Sequence, residues 1–111
     1  MKSIAAIIAL LLFSSLSHAA TLKGAVSSPV AGVLCDKKAG FCADSSGISM
    51  GLTKEYLGDK AEQKLLGQGE FDMTAFVLTN GVACDTKAQK CTKGKWDKNV
   101  DAAHTKALFG K

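Results

Sequence analysis

The sequence predicts an α+β fold: a small antiparallel sheet built from two disulfide-closed β-hairpins, with two short helices packed on one face. Three observations carry this prediction. Residues 32–42 recur as residues 81–91, and both copies follow the pattern Gly-Val-x-Cys-Asp-x-x-Ala-x-x-Cys. Strand-like alternation leads into each pair of cysteines. A stretch with helical spacing follows each copy, and a glycine ends each stretch.

The N-terminal residues have the layout of a secretory signal peptide. Lys2 supplies a positive charge, residues 4–13 form an unbroken apolar run, and small residues follow. Ser17 and Ala19 stand three and one positions before a cut between Ala19 and Ala20. We therefore expect a signal peptide over 1–19 and one small domain over 20–111, in the periplasm or secreted. The apolar run is too short for a transmembrane helix, so no stable membrane anchor is predicted.

The repeated segment predicts two β-hairpins, each closed by its own disulfide. Val33 and Cys35 alternate as strand residues do, and six residues separate Cys35 from Cys42. Cys84 and Cys91 repeat that spacing. Four cysteines permit three pairings, so bridges between the two copies stay open beside the local pairs Cys35–Cys42 and Cys84–Cys91. Each local bridge would stabilise the fold by about 2.5 kcal/mol.

We expect the four cysteines to be structural. An exported domain meets oxidising conditions, and a core of this size often needs covalent staples. The spacing C-x6-C is not one that zinc sites use, and His104 is the only histidine after the predicted signal peptide. A C-x-x-C redox motif is absent from the sequence. The sequence therefore predicts no metal site, no cofactor and no redox catalysis.

A short strand and a helical stretch are expected after the first hairpin. Residues 48–50 form the strand, and residues 53–66 have apolar side chains every four positions. Thr53 is the expected cap of this helix, and Gly67 is the expected stop. Gly58 interrupts the helix, so two short helices are the alternative.

The second half repeats this order in a shorter span. Residues 71–79 are predicted to form the longest strand, because they alternate early and are then mostly apolar. Asn80 and Gly81 form either a tight turn or a bulge. A helix is predicted over 98–109, with Asp97 as its cap and a glycine as its stop.

Several motifs are shared with a known family. They are Gly-Val-x-Cys-Asp at 32–36, Gly-Ile-Ser at 47–49, Leu-Thr-Lys-Glu-Tyr-Leu-Gly at 52–58 and Asn-Gly-Val-x-Cys-Asp at 80–85. Together with the predicted signal peptide, they resemble the Fels prophage protein-like family of small exported enterobacterial proteins. The 52–58 block is the most specific part of the resemblance. It implies export and a bacterial origin, and it brings no catalytic or binding residue, because the family is a domain of unknown function.

Catalytic chemistry has little support in the residue inventory. Nucleophilic catalysis needs an activated side chain beside a base, and His104 lies on the apolar stripe of a predicted helix. A packing histidine is the expected role, and we predict no enzyme and no catalytic residue. The alternative is an accessory envelope enzyme that uses His104 together with carboxylates.

Positive charge is concentrated in the last quarter of the chain. Residues 86–111 carry seven lysines and two aspartates, whereas residues 20–85 carry six lysines and eight acidic residues. The predicted interaction patch comprises Trp96 and five lysines, namely Lys87, Lys90, Lys93, Lys95 and Lys98. Such a patch suits an anionic surface or an acidic protein. The alternative is an ordinary solvated hairpin end with Trp96 in the core.

These observations predict a non-catalytic binding or inhibitor-type module that acts on a protein or an anionic envelope component. A passive envelope-stress or structural protein is the other alternative to an enzyme. Nucleic acid is not an expected partner, since the chain has no arginine and is predicted to leave the cytoplasm. Exposure of Trp96 among the lysines would favour the binding module, and a concave site around His104 would favour the enzyme.

Overall fold

The computed structural model describes residues 20–111. The predicted signal peptide and its cleavage site lie outside the described residues, apart from Ala20. The described part is an α+β fold of eight strands and three helices, with two disulfide-closed hairpins. The predicted fold class is therefore confirmed, whereas the hairpins lie in two separate antiparallel sheets rather than in one.

The first sheet contains five strands in the order of the sequence. Each strand is antiparallel to its neighbour, and Cys35 lies opposite Cys42 in the central pair. The strands are β1 (Ala20–Thr21), β2 (Val26–Ser28), β3 (Leu34–Asp36), β4 (Phe41–Asp44) and β5 (Gly47–Ser49). The first hairpin thus forms the centre of this sheet.

The second sheet has three strands, β6 (Ala75–Val77), β7 (Ala83–Asp85) and β8 (Lys90–Thr92). The prediction of one long strand over 71–79 is wrong, because hydrogen bonds fold the chain at both ends of that segment. The Asp72 carboxylate accepts from the Thr74 amide at 2.8 Å and begins a turn before β6. After β6, the amide of Leu78 donates to the Val82 carbonyl at 2.8 Å across a second turn.

Both disulfides are the local ones. Cys35 is bonded to Cys42 and Cys84 to Cys91, with Cα atoms 4.0 and 3.9 Å apart. The two cysteines of each pair lie directly opposite each other on neighbouring antiparallel strands. This pairing excludes bridges between the two copies.

Three helices of eight residues each follow the hairpins: α1 (Met50–Leu57), α2 (Asp59–Leu66) and α3 (Ala102–Phe109). The side chain of Ser49, and not of Thr53, caps α1 by accepting from the Leu52 amide. Gly58 separates α1 from α2 with a φ of +97°, so the alternative of two short helices holds.

Helix α3 is shorter than predicted, and its cap is Asp101 rather than Asp97. The side chain of Asp101 accepts from the His104 amide at 3.0 Å, as an N-cap does. Asp97 instead stabilises a turn in the loop before the helix, where its carboxylate accepts from the Asn99 amide at 2.8 Å. The helix ends at Gly110, which has the left-handed φ of +76°.

A buried threonine joins each hairpin to the helix that follows it. In the first half, the Thr53 hydroxyl accepts from the Cys42 amide at 2.9 Å. In the second half, the Thr105 hydroxyl accepts from the Cys91 amide at the same distance. The repeat therefore includes a helix docked on the second cysteine of each hairpin, although the two threonines lie at different distances along the chain.

The main core lies between the two sheets and α3. Phe41 of the first sheet and Phe76 of the second meet edge to face, with ring centroids 5.4 Å apart. The other buried apolar residues of this core are Val26, Leu34, Ala43, Leu65, Leu78, Val82, Cys84, Cys91 and Leu108. A smaller cluster lies on the opposite face of the first sheet, where α1 covers the Cys35–Cys42 bridge.

Asp36 connects the two halves from a fully buried position. Its carboxylate accepts from the Thr79 amide at 2.7 Å and from the Thr79 hydroxyl at 2.9 Å. It also accepts from the amides of Lys38 and Ala39 within its own hairpin turn. Asp85, its counterpart in the second hairpin, is exposed and makes only the two turn contacts. The same residue type therefore has a local role in one copy and a bridging role in the other.

Candidate functional site

A groove of about 700 Å³ lies on the outer face of the second sheet. Side chains alternate along each strand, so Phe76 and Cys84 point into the core while Ala75, Val77 and Ala83 form the outer floor. The loop between β8 and α3 forms one wall. The polar side chains that line the groove are Asp85, Lys90, Thr92, Lys95, Asp97 and Lys98.

The outer face is open because the second copy of the repeat has changed there. In the first copy, the equivalent face carries Leu34 and Phe41, which are buried in the main core. A shift of 49 positions places Ala83 and Lys90 at the corresponding sites. The short side chain of Ala83 leaves space above the strands, and the charge of Lys90 keeps this face hydrated, whereas the first copy has core residues at both positions.

Three lysines of the predicted patch come together in this groove, namely Lys90, Lys95 and Lys98. Among the described residues, ion pairs join Lys54 to Asp59 and His104 to Asp101, and none involves these three lysines. The two aspartates of the groove are held by backbone amides of their own turns. The lysine ammonium groups are therefore available to an anion, and one oxygen of each carboxylate accepts from backbone amides.

Trp96 is 89% exposed and does not line the groove. The alternative that placed Trp96 in the core is therefore wrong. The Nζ atom of Lys95 lies 5.3 Å from the centroid of the indole ring, within the range of a cation–π contact. Exposure of Trp96 among lysines is the arrangement that we expected to favour a binding module.

The remaining two lysines of the predicted patch lie outside the groove. Lys87 is exposed in the turn of the second hairpin, where its amide donates to the Asp85 carboxylate at 2.9 Å. Lys93 is exposed at the start of the loop that carries Trp96. The predicted patch is thus divided between a concave site on the sheet and a convex loop beside it.

His104 is buried, with both ring nitrogens engaged. Nδ1 lies 2.8 Å from the Asp101 carboxylate, and Nε2 lies 3.0 Å from Nδ2 of Asn80. The Asn80 amide is oriented by two further contacts, since its oxygen accepts from the Val82 amide and its nitrogen donates to the Lys23 carbonyl. Nε2 must therefore accept the Asn80 hydrogen, which places the proton of the neutral ring on Nδ1.

The contacts of His104 are those of a packed side chain, and His104 lines neither the groove nor a second concavity of about 310 Å³ beside the first hairpin. Partial burial raises the pKa of Asp101, but the amide and the ring of His104 outweigh it and hold this pKa below its ordinary value. The Asp101–His104–Asn80 chain therefore has the contacts of a structural network that fastens α3 to the loops at Lys23 and Asn80.

Within residues 20–111, no three histidine, cysteine or acidic side chains lie together in a way that would hold a metal ion. Among the same residues, no helix is long and apolar enough to cross a membrane.

Comparison with known proteins places the chain in a family. The model of the YcgJ protein family matches residues 26–109. The chain belongs to the YcgJ family. It is 38% identical over 93 residues to the uncharacterized protein YcgJ of Escherichia coli strain K12, an alignment that covers 78% of this chain and 75% of that protein. No solved structure matches the chain.

The family match corrects the resemblance drawn from the sequence. Neither the YcgJ match nor the relative connects this chain to the Fels prophage protein-like family. The match covers both hairpins and all three helices of this YcgJ-family chain, so it includes both copies of the repeat.

Sequence reasoning missed the floor of the groove in this YcgJ-family chain. Ala75, Val77 and Ala83 were expected to belong to strands, without a functional role. The repeat itself carried a usable signal, because Lys90 and Thr92 replace the apolar Phe41 and Ala43 of the first copy on one strand face. A face that becomes polar in one copy only indicates that this copy presents it to solvent.

Proposed function

We propose that this YcgJ-family chain is a non-catalytic binding or inhibitor-type module that holds an acidic ligand, a segment of a protein or an envelope component, in the groove of the second sheet. One observation carries the proposal. Lys90, Lys95 and Lys98 surround a floor of small apolar side chains, and their charges have no ion-pair partner in the described part of the chain. An apolar floor with a few convergent charges is the usual composition of a ligand site.

The fold supports this role by holding the site rigid. β6 and β7 form the floor of the groove and β8 forms one edge, and the Cys84–Cys91 bridge joins β7 to β8 from the core side. A site that is ordered before binding loses less conformational entropy when the ligand arrives. Two intact disulfides suit an oxidising compartment, which supports a periplasmic or secreted location for the proposed module.

The proposal is tested with a short peptide of alternating glutamate and valine, and with a lysine–valine peptide as the ligand control. Isothermal titration calorimetry at low ionic strength measures both. We expect the acidic peptide to bind more tightly than the basic peptide, because three lysines and two aspartates line the groove and leave it with a net positive charge. The affinity should fall as salt is added, since the lysines are exposed.

A double variant separates the groove from general charge. Lys90→Gln with Ala83→Glu removes one positive charge and adds a negative one on the groove floor, and we expect acidic-peptide binding to fall by about tenfold or more. Lys38→Gln with Ala39→Glu makes the same charge change in the turn of the first hairpin. Equal binding by the two double variants would show that the groove does not hold the ligand. Far-UV circular dichroism establishes that each variant is folded.

A further inference from the structure

Trp96 lies at the tip of a loop that is stabilised by its own backbone hydrogen bonds. The Lys93 amide donates to the Asn99 carbonyl at 2.9 Å and closes the base of the loop. The Asp97 amide donates to the Gly94 carbonyl at 3.1 Å and forms a turn with Trp96 inside it. This loop, residues 93–99, therefore presents Trp96 in a fixed position, and little ordering remains to be done when a partner binds.

The surroundings of Trp96 are cationic. Lys93, Lys95 and Lys98 lie on the same loop, and none of them forms an ion pair within the described chain. Trp96 lines neither of the two concavities, and Val100, 48% exposed, follows the loop. A large apolar ring thus projects outward between lysines on both sides.

A lipid surface matches this arrangement better than a protein pocket does. The residues that dominate a protein interface are usually surrounded by near-neutral contacts that exclude water. Trp96 is instead flanked by charges that keep water close. Tryptophan is enriched at the level of lipid headgroups, where its ring is partly apolar and its N–H is hydrated. Lysines beside it gain from the negative surface potential of anionic headgroups, which falls off within a Debye length.

We propose that residues 93–99 dock on an anionic lipid surface, with the Trp96 ring at headgroup depth and Lys93, Lys95 and Lys98 on the phosphate groups. This contact is peripheral and reversible. It shares Lys95 and Lys98 with the proposed ligand site and differs from that site in Trp96 and Lys93, which do not line the groove. It goes beyond the proposed function: the loop places the protein at a membrane surface, while the groove holds a ligand.

Vesicles of phosphatidylglycerol and phosphatidylcholine in equal parts test the proposal, with pure phosphatidylcholine vesicles as the comparison. Trp96 is the single tryptophan of the chain, so its emission reports the loop alone. We expect the emission to shift to the blue with the anionic vesicles and to stay unchanged with the neutral ones. The shift should diminish at about 1 M salt, where screening acts within about 3 Å. No shift with anionic vesicles, or the same shift with both, would overturn the proposal.

Co-sedimentation of variants with the anionic vesicles identifies the residues. Trp96→Ala should weaken binding by about tenfold, and Lys93→Gln by about fivefold. Leu66→Ala removes an exposed apolar side chain from α2, and Lys38→Gln removes a lysine from the first hairpin. Binding by each of these controls should stay within about twofold of the wild type. Unchanged binding by Trp96→Ala overturns the proposal. Trp96→Ala should leave the affinity for the acidic peptide within about twofold of the wild type, so the ligand proposal and the lipid proposal are tested separately.

Discussion

Substitution of Asp36 by alanine should reveal how strongly the two halves are joined. Asp36 is fully buried and accepts four hydrogen bonds, two of them from Thr79 in the other half. In Asp36→Ala the Thr79 amide and hydroxyl lose these partners, and a cavity replaces the carboxylate. A hydrogen bond to a charged group contributes about 1.5–3 kcal/mol, and a buried unpaired donor costs about 1–3 kcal/mol. We therefore expect Asp36→Ala to lower the free energy of unfolding by about 3–5 kcal/mol.

The repeat provides a matched control for this substitution. Asp85 makes the same two turn contacts, with the amides of Lys87 and Ala88, and has no contact to the other half. Asp85→Ala should therefore lower the free energy of unfolding by about 1 kcal/mol, as the loss of a turn or cap contact does. The difference between the two variants measures the contacts that only Asp36 makes.

Urea denaturation of the oxidised protein, followed by far-UV circular dichroism, measures both variants. With a slope of about 1 kcal/mol per molar urea for a domain of this size, the midpoint of Asp36→Ala should lie about 2–4 M below that of Asp85→Ala if the slopes agree. Thr79→Val, which removes only the hydroxyl donor to Asp36, should lower the free energy of unfolding by about 1 kcal/mol and keeps the test open if Asp36→Ala does not fold. Equal midpoints for Asp36→Ala and Asp85→Ala would refute the reasoning.

Three further predictions concern single residues. Gly40 and its counterpart Gln89 have positive φ values of 84° and 58°, which glycine adopts more easily than other residues. In urea denaturation, Gly40→Ala should therefore lower the free energy of unfolding by about 1 kcal/mol, and Gln89→Gly should raise it by about 0.5 kcal/mol. Effects of the opposite sign would contradict this. The ring of His104 should carry its proton on Nδ1 in nitrogen-15 NMR spectra at pH 8, and a proton on Nε2 would contradict the assigned network. Partial burial opposes the shift, but contacts with His104 hold the pKa of Asp101 below its ordinary value of 3.8. The Asp101 carboxylate therefore stabilises the fold above pH 3.8, and this stabilisation is lost as the pH falls below 3.8. The stability difference between wild type and Asp101→Asn should therefore shrink on acidification from pH 5 to pH 3, and a constant difference would contradict this assignment.

The hairpins and their disulfides could be predicted because they depend on short stretches of sequence. Six residues between Cys35 and Cys42 suffice to place the two cysteines opposite each other on adjacent strands, and the second copy repeats the same geometry. The break in the first helix could also be predicted, because glycine is the residue that most easily interrupts a helix. In the structure Gly58 adopts a positive φ that other residues avoid.

The caps were assigned to the wrong residues for a physical reason. Thr53 and Ser49 are both good cap residues, four positions apart, and sequence alone does not show which one the chain uses. The hairpin decides, because the Cys42 amide requires the Thr53 hydroxyl inside the core and leaves Ser49 to cap the helix. A tertiary contact of this kind has no periodic signal in the sequence.

The composition of the groove was only partly predictable. Five lysines around Trp96 were evident, but their division between groove and loop depends on how the loop lies over the sheet. That placement rests on hydrogen bonds from the Lys93 amide to the Asn99 carbonyl and from the Asp101 amide to the Cys91 carbonyl. Such backbone contacts do not depend on side-chain type, so the sequence carries no pattern for them.

The two copies of the repeat use the same sheet face in different ways. Each copy has a sheet face formed by the residues that alternate with its cysteines. In the first copy, Phe41 and Asp36 of this face are buried, one against Phe76 and the other against Thr79, so the face is committed to holding the domain together. In the second copy no third repeat is present among the described residues to cover the face. Lys90 replaces phenylalanine there, and the aspartate is free of any bridging contact. The same sheet face thus holds the domain together in the first copy and borders the groove of the proposed ligand site in the second.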